Sequence, residues 1–333
     1  MIRLGTRRSL LATTQSGQVA QMLRDLGHEV ELVEITSDGD RTQSAGTPLT
    51  GAASTGVFVS ALRDALLAGE IDVAVHSLKD LPTYAAEGIV LAAIPPREDP
   101  RDVVVARDGL TLAGLPAGAR VGTGSPRRAA QIHALGLGLE ISGVRGNVDT
   151  RIGKVRSGEF DAVVLARAGL ARIDRLDEVT EVLDPLQVLP APGQGALAVE
   201  ARAGDPALEV LALIDDGPTR AAVTAERAVL ATLEGGCAAP IGALAEVADG
   251  EDGAELWVRA VLLSADGALS VRRSASGPVD DALGVGTRLA EEMLADGAAE
   301  LKTNELKTTE LDSKGMGGAA AGDVAPEQEM DKA

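Results

Sequence analysis

Four clusters of polar residues could do chemistry: Arg7 with Ser9; His76-Ser77-Leu78-Lys79-Asp80; Thr123-Gly124-Ser125-Pro126-Arg127-Arg128; and Arg145 and Asn147 with Arg151. Each follows a short apolar run, and open α/β sheets bind ligands outside the carboxyl ends of their strands. Guanidinium forks match carboxylates and phosphates alike, so arginines recurring at several strand ends imply a polyanionic ligand bearing several of either group. For any single arginine the alternative is a solvated charge paired with one of the abundant Asp and Glu residues. In the third cluster Ser125 and Pro126 also read as the N-cap and first residue of a helix, whose free N–H groups favour an anion. Lys79 and Asp80 set an ammonium beside a carboxylate, either as a structural pair or as a place to hold a reacting cation and its leaving group. His76 ends an apolar strand and reads as a buried, hydrogen-bonded histidine. Gly122-Thr123-Gly124 is a weak phosphate-loop signal, because no Gly-Lys-Ser/Thr follows.

Two residue types stand out by rarity. The single cysteine, Cys237, lies in Gly235-Gly236-Cys237-Ala238-Ala239-Pro240, a glycine-opened turn between a helix and a strand. Such a turn suits a reachable thiol, the alternative being an ordinary buried cysteine. The chain has six lysines, and four of them fall in the last 32 residues, which leaves Lys79 and Lys154 in the body.

Composition narrows the function classes. The 333 residues are 45% hydrophobic and 24% charged, as in a folded protein of about two domains. No apolar stretch reaches membrane-span length and the start lacks the core of a secretion signal, so a cytoplasmic protein without a membrane partner is expected. One cysteine excludes a disulfide framework, and three scattered histidines assemble no zinc spacing, so no metal site is expected. A net charge of −19 and only four aromatic residues argue against nucleic acid as a partner.

The elements that must position these residues follow from alternating strand and helix patterns. Strands are expected at Ile2 to Gly5, Glu29 to Ile35, Ile71 to Val75, Ile89 to Ile94, Ala119 to Gly122, Leu139 to Ser142 and Asp161 to Ala166. Helices are expected over Ser9 to Leu26 and Val57 to Leu67, and from Pro126 and Val148. Two Pro- and Gly-rich stretches, Pro95 to Pro100 and Leu189 to Gly195, read as paired linkers through which the chain enters a second lobe and returns. The expected fold is α/β: two lobes like those of periplasmic binding proteins, with mostly parallel sheets and a double-crossing hinge, plus a small α+β C-terminal domain. Lobe 1 takes 1–96 and 194–216, lobe 2 takes 97–193 and the C-terminal domain takes 217–298. A tail over 299–333, without apolar periodicity, reads as disordered.

Taken in order, the clusters resemble the porphobilinogen deaminase (hydroxymethylbilane synthase) family over residues 1 to about 297. The carrying segments are Gly5-Thr6-Arg7-Arg8-Ser9, Gly56-Val57-Phe58-Val59, Asp72 to Thr83, Val121 to Arg128, Val144-Arg145-Gly146-Asn147-Val148-Asp149-Thr150-Arg151, Pro192-Gly193-Gln194-Gly195-Ala196 and Gly235-Gly236-Cys237. Seven such segments in one order are far more specific than any one of them.

The resemblance implies a transferase of tetrapyrrole biosynthesis, working as a monomer, that joins four porphobilinogen molecules with loss of ammonia and releases hydroxymethylbilane. It implies a dipyrromethane cofactor attached covalently through Cys237. Ser77, Lys79, Asp80, Ser125, Arg127, Arg128, Arg145 and Gly146 would bind that cofactor. Arg7, Ser9, Phe58, Arg145, Arg151, Arg172 and Gln194 would face the substrate, with Asp80 and Lys79 catalytic. Porphobilinogen carries an acetate and a propionate, so the growing chain is a polyanion of the kind the arginines imply. The sequence departs from the family at Ala53-Ser54-Thr55-Gly56, where a lid lysine often stands, and at Arg8, a position not usually arginine. Motion of the lobes at the linkers, or of the Gly51 to Gly56 loop, would accommodate the lengthening product. A two-lobed binding protein for a carboxylated ligand is the competing reading, but it gives Cys237 and Asp80 no task. An effector-binding regulatory domain is a third, opposed by the acidic balance and the lack of a helix-turn-helix pattern.

Overall fold

A computed structural model of the protein describes residues 1–35, 52–233, 240–250 and 253–301, with backbone alone over 52–58. The chain first lays down β1 (Ile2–Thr6), α1 (Leu10–Asp25), β2 (Val30–Glu34), α2 (Ala52–Leu67), β3 (Val73–Ser77) and β4 (Ile89–Ala93). It crosses to a second sheet of β5 (Asp102–Ala106), β6 (Arg120–Gly122), β7 (Glu140–Ser142), β8 (Ala162–Ala166) and β9 (Glu181–Val182). Helices α3 (Pro126–Ala134), α4 (Val148–Arg156) and α5 (Arg167–Arg172) are interleaved with these strands. It then returns as β10 (Leu197–Arg202), which inserts between β3 and β4.

The strand orders are β2-β1-β3-β10-β4 and β7-β6-β8-β5-β9. In each sheet β1 or its counterpart β6 pairs in parallel on both sides, while β10 and β5 run antiparallel to both neighbours. The βα alternation therefore gave the right fold class, with one reversed strand per sheet that it did not foresee. Both reversed strands follow a crossing: a chain arriving from the other lobe enters its new sheet from the opposite end. The expected loop Gly51 to Gly56 is helical from Ala52, where two alanines favour helix strongly enough to carry Gly56.

The crossings lie side by side. The Glu98 N–H donates to the Gly195 carbonyl at 3.3 Å. Gly195 has φ +89°, and a Cβ there would stand 2.3 Å from the Glu98 carbonyl oxygen, so only glycine allows this approach.

After the short helix α6 (Ala207–Leu211), α7 (Gly217–Thr232) opens with Pro218 and an Asp216 cap whose carboxylate accepts the Thr219 N–H at 2.8 Å. Strands β11 (Ile241–Gly250), β12 (Gly253–Leu263) and β13 (Ser270–Pro278) form an antiparallel sheet, and α8 (Ala282–Met293) completes an α+β unit. Its core of Ala225, Val229, Leu256, Val258, Leu289 and Met293 also takes in Leu301, so ordered packing runs past 298, where composition suggested a tail. Leu244, Val261 and Leu263 pack on Ala130 and Leu189 beside the second sheet, while Val223 packs on Leu78 and Ala196 beside the first. The unit thus touches both lobes.

Candidate active site

The turn after β3 is built around Leu78, fully buried as a plug beneath Lys79 and Asp80. The Leu78 N–H donates to the Ala196 carbonyl at 3.0 Å and the Leu81 N–H closes the turn on the Leu78 carbonyl at 3.0 Å. Ser77 Oγ accepts from Gln15 Nε2 of α1 at 2.8 Å. Lys79 is half-buried and donates from Nζ to Gln194 Oε1 at 3.4 Å, while Asp80 is exposed. Burial depresses the Lys79 ammonium to about 8; Arg128 and Arg127 push the same way, against Asp80 and Asp102. His76 is buried, as expected. Its Nε2 lies 3.3 Å from Glu200 Oε2 but is not aligned for a hydrogen bond. Burial would raise the Glu200 carboxyl, yet His76 and the bidentate Arg63 fork, at 2.6 and 3.0 Å, hold it down at about 2.

The second sheet meets this turn through a buried carboxylate. Asp102, wholly buried at the start of β5, accepts from Arg127 at 2.8 Å, from Arg128 at 2.8 Å and from Gln194 Nε2 at 2.7 Å. Burial works to raise its carboxyl, but Arg127 and Arg128 outweigh that and hold it far below the usual carboxylate range. Arg127 also donates to the Leu189 carbonyl, and Arg128 to the Val164 carbonyl at 3.1 Å. Gln194 is the joint between the lobes: its amide nitrogen also donates to the Pro100 carbonyl at 2.6 Å, and its oxygen faces Lys79 and, at 3.5 Å, Arg128. Ser125 Oγ accepts the Arg128 N–H at 3.4 Å and Ser9 Oγ accepts the Ala12 N–H at 3.3 Å, so both serines cap helices.

Lys79, Gln194, Arg127 and Arg128 are thus gathered into one junction. Arg151 belongs to the same field, since burial and Arg128 both lower its guanidinium; its Nε donates to the Gly146 carbonyl at 2.8 Å. Gly146 has φ +108°, and a Cβ there would clash with Thr150, so a glycine is required. Arg145 is exposed beside it. Arg172, lowered by burial against Glu98, donates to the Gly195 carbonyl at 2.6 Å on the returning crossing. Arg7 is half-buried at the start of α1, and Arg8 pairs with Glu34. The Phe58 and Thr55 side chains, and Cys237 itself, lie outside the described residues, as does the tail from 302.

Three residues of the junction and its supports escaped the sequence reading. Asp102 sits in Pro100-Arg101-Asp102, which reads as loop, and only the Val103-Val104-Val105 run hinted at a strand. Glu226 and Arg227 look like solvated charges, although Ala222, Val223, Ala225 and Val229 around Glu226 mark a buried face of α7.

An exposed carboxylate beside a half-buried ammonium, backed by buried guanidinium groups, can stabilise a cation while holding carboxylates. Among the described residues no group of three or more His, Cys, Asp or Glu could hold a metal, and no helix is long and apolar enough to cross a membrane. The Nε atoms of Arg127, Arg128 and Arg172 are buried without a hydrogen-bond partner there, a surplus of donors that fits a polycarboxylate cofactor.

The described residues form two lobes, each on a five-stranded mixed sheet, with a C-terminal α+β unit. A solved neighbour is the periplasmic aliphatic sulphonate binding protein from Escherichia coli, 17% identical over 70% of each chain with a TM-score of 0.36. The family is set by sequence. Residues 2–210 match the model described as porphobilinogen deaminase, dipyromethane cofactor binding domain, and residues 220–295 match the porphobilinogen deaminase C-terminal domain. The porphobilinogen deaminase of Mycobacterium tuberculosis H37Rv is 58% identical over 307 residues, covering 90% of this chain and 98% of that protein. Porphobilinogen deaminase 1 of Streptomyces coelicolor is 59% identical over 311 residues, covering 90% and 97%. This chain belongs to the porphobilinogen deaminase family.

Proposed function

We propose that this protein deaminates porphobilinogen and joins four units head to tail onto a dipyrromethane primer held by Cys237, then releases hydroxymethylbilane by hydrolysis. The observation that carries the reading is the exposed Asp80 beside Lys79, at the edge of a junction whose cations exceed its buried carboxylate. In a chain of net charge −19 such a junction is a local exception, and polycarboxylate substrates need one.

Lys79, Arg127, Arg128, Arg145 and Arg151 bind acetate and propionate groups, with Ser77, Ser125 and the Gly146 turn shaping the cofactor side. Arg7, Ser9, Phe58, Arg172 and Gln194 border the incoming substrate. When bound, the dipyrromethane would supply the free pyrrole α-carbon that takes up the first unit, and each added ring then offers its own α-carbon to the next. Asp80 does the electrostatic work: as ammonia leaves the substrate's aminomethyl group, positive charge spreads to the ring nitrogen, and the Asp80 carboxylate facing that N–H stabilises it. Asp80, directly or through a water, then takes the proton lost on rearomatisation. Lys79 keeps a propionate in place and so fixes the approach of the reacting carbons.

The proposed division is 1–96 with 194–216, 97–193 and 217–298, and the working enzyme is a cytoplasmic monomer. The test is the intact mass of the denatured protein beside Cys237→Ala. The parent should carry two linked pyrrole units, directly or after porphobilinogen is added, and the variant none. A parent mass that never rises would favour the binding-protein reading.

A further inference from the structure

Two adjacent residues of α7 point to different neighbours. Glu226, fully buried, accepts both amino groups of Arg97 at 2.6 and 3.0 Å, the Gly193 N–H at 2.6 Å and the Ala245 N–H at 2.8 Å. It thereby ties both crossings to the C-terminal unit. Arg227, the next residue, reaches the turn after β3: one amino group donates to the Leu78 carbonyl at 3.4 Å and the Leu81 carbonyl at 3.1 Å, the other to the Pro82 carbonyl at 2.5 Å. Those carbonyls bracket Lys79 and Asp80.

Within the turn the Leu78 carbonyl takes the Leu81 N–H, whereas the Leu81 and Pro82 carbonyls accept no backbone N–H of the turn among the described residues. A planar guanidinium with five donors can take three of them at once and so fix their relative orientation, which one ammonium at the end of a flexible stem does not. The same helix ends at Thr232, five residues before Cys237. Asp80 and the proposed attachment cysteine come from distant parts of the chain, and α7 contacts the turn of the first while ending, in sequence, shortly before the second.

We propose that Arg227 is a positioning residue: it sets the turn that carries Asp80 against the helix that leads to Cys237, so that the carboxylate faces the unit being added. The proposal rests on the role given to Asp80 above. A misplacement of about 1 Å at such a group can lower turnover by up to ~100-fold, while substrate affinity, set largely by the arginines, changes little.

The experiment uses the full-length enzyme loaded with its dipyrromethane, as checked by intact mass, and compares Arg227→Lys, Arg227→Ala, Asp80→Asn and the double variant Arg227→Lys/Asp80→Asn. Arg227→Lys, which keeps the charge and the fold, should lower kcat per loaded enzyme by ~10-fold or more with KM within about twofold. In the Asp80→Asn background the same change should cost little further, because the group it aims is already gone. An unchanged kcat in loaded Arg227→Lys and Arg227→Ala, or a loss that multiplies in full with that of Asp80→Asn, overturns the positioning role and leaves Arg227 a structural brace. If Asp80→Asn alone keeps normal turnover, the reading of Asp80 falls and this proposal falls with it, a pattern distinct from the other two.

Discussion

The two lobes share a strand order, so each position in one sheet has a counterpart in the other. At the head of the reversed strand the second lobe places Asp102, opposite Ala166 at the end of β8, and the first lobe places Leu197, opposite Ser77 at the end of β3. Asp102 is sealed from water and gripped by Arg127 and Arg128; Leu197 is simply core. The first lobe puts its carboxylate in the exposed turn instead, at Asp80. Inside, a carboxylate is neutralised by its neighbours and becomes structure. Asp80 keeps a side open to solvent, which is what the catalytic role proposed for it requires.

The comparison breaks first at Asp102. Asp102→Asn leaves two buried guanidinium groups short of a counter-charge, and a cost of about 3–5 kcal/mol is expected. Urea unfolding should show an earlier midpoint with unchanged slope, and an unmoved midpoint would remove the structural role. Because its carboxyl is held below the ordinary 3.8, the stabilisation from Asp102 persists down to that range and is lost only as pH falls further. Asp80→Asn should do the opposite: kcat down ~100- to 1000-fold, with stability shifted by no more than about 0.5 kcal/mol. Near-normal turnover in that variant ends the contrast between the two carboxylates. The smallest effect concerns Lys79, which stands between them. With its ammonium at about 8, charge is lost as pH rises through that value, so KM for porphobilinogen should climb by up to about tenfold one unit higher. Lys79→Arg should flatten this rise; a profile identical to the parent's would assign the titration elsewhere.

The strand-end clusters were legible because each lies within a few residues of its own strand. Ser125 with Pro126 announces a helix start from local chemistry alone, and the structure has that cap. The reversed strands were hidden for the opposite reason: nothing within Leu197–Arg202 says that its partners are β3 and β4, more than a hundred residues earlier. Asp102, Glu200 and Glu226 share that opacity, since an acidic residue looks solvated until the arginine that buries it is brought up. Arg227 meets the Pro82 carbonyl across 145 residues. Charge recurrence therefore pointed to residues that the structure gathers at one junction, but not to how many of their cations remain open, because it could not see Asp102.

The insertion of β10 between β3 and β4 sets an order of events during synthesis. All strands of the second sheet lie within 102–182, so it can close as soon as that stretch has left the ribosome. The first sheet begins earlier yet must wait: until Leu197–Arg202 emerges, β4 has no neighbour and the edge of β3 stays unpaired. The lobe that is translated first is thus the one that finishes later, and the nascent chain carries an open β edge through the time needed to make the other lobe.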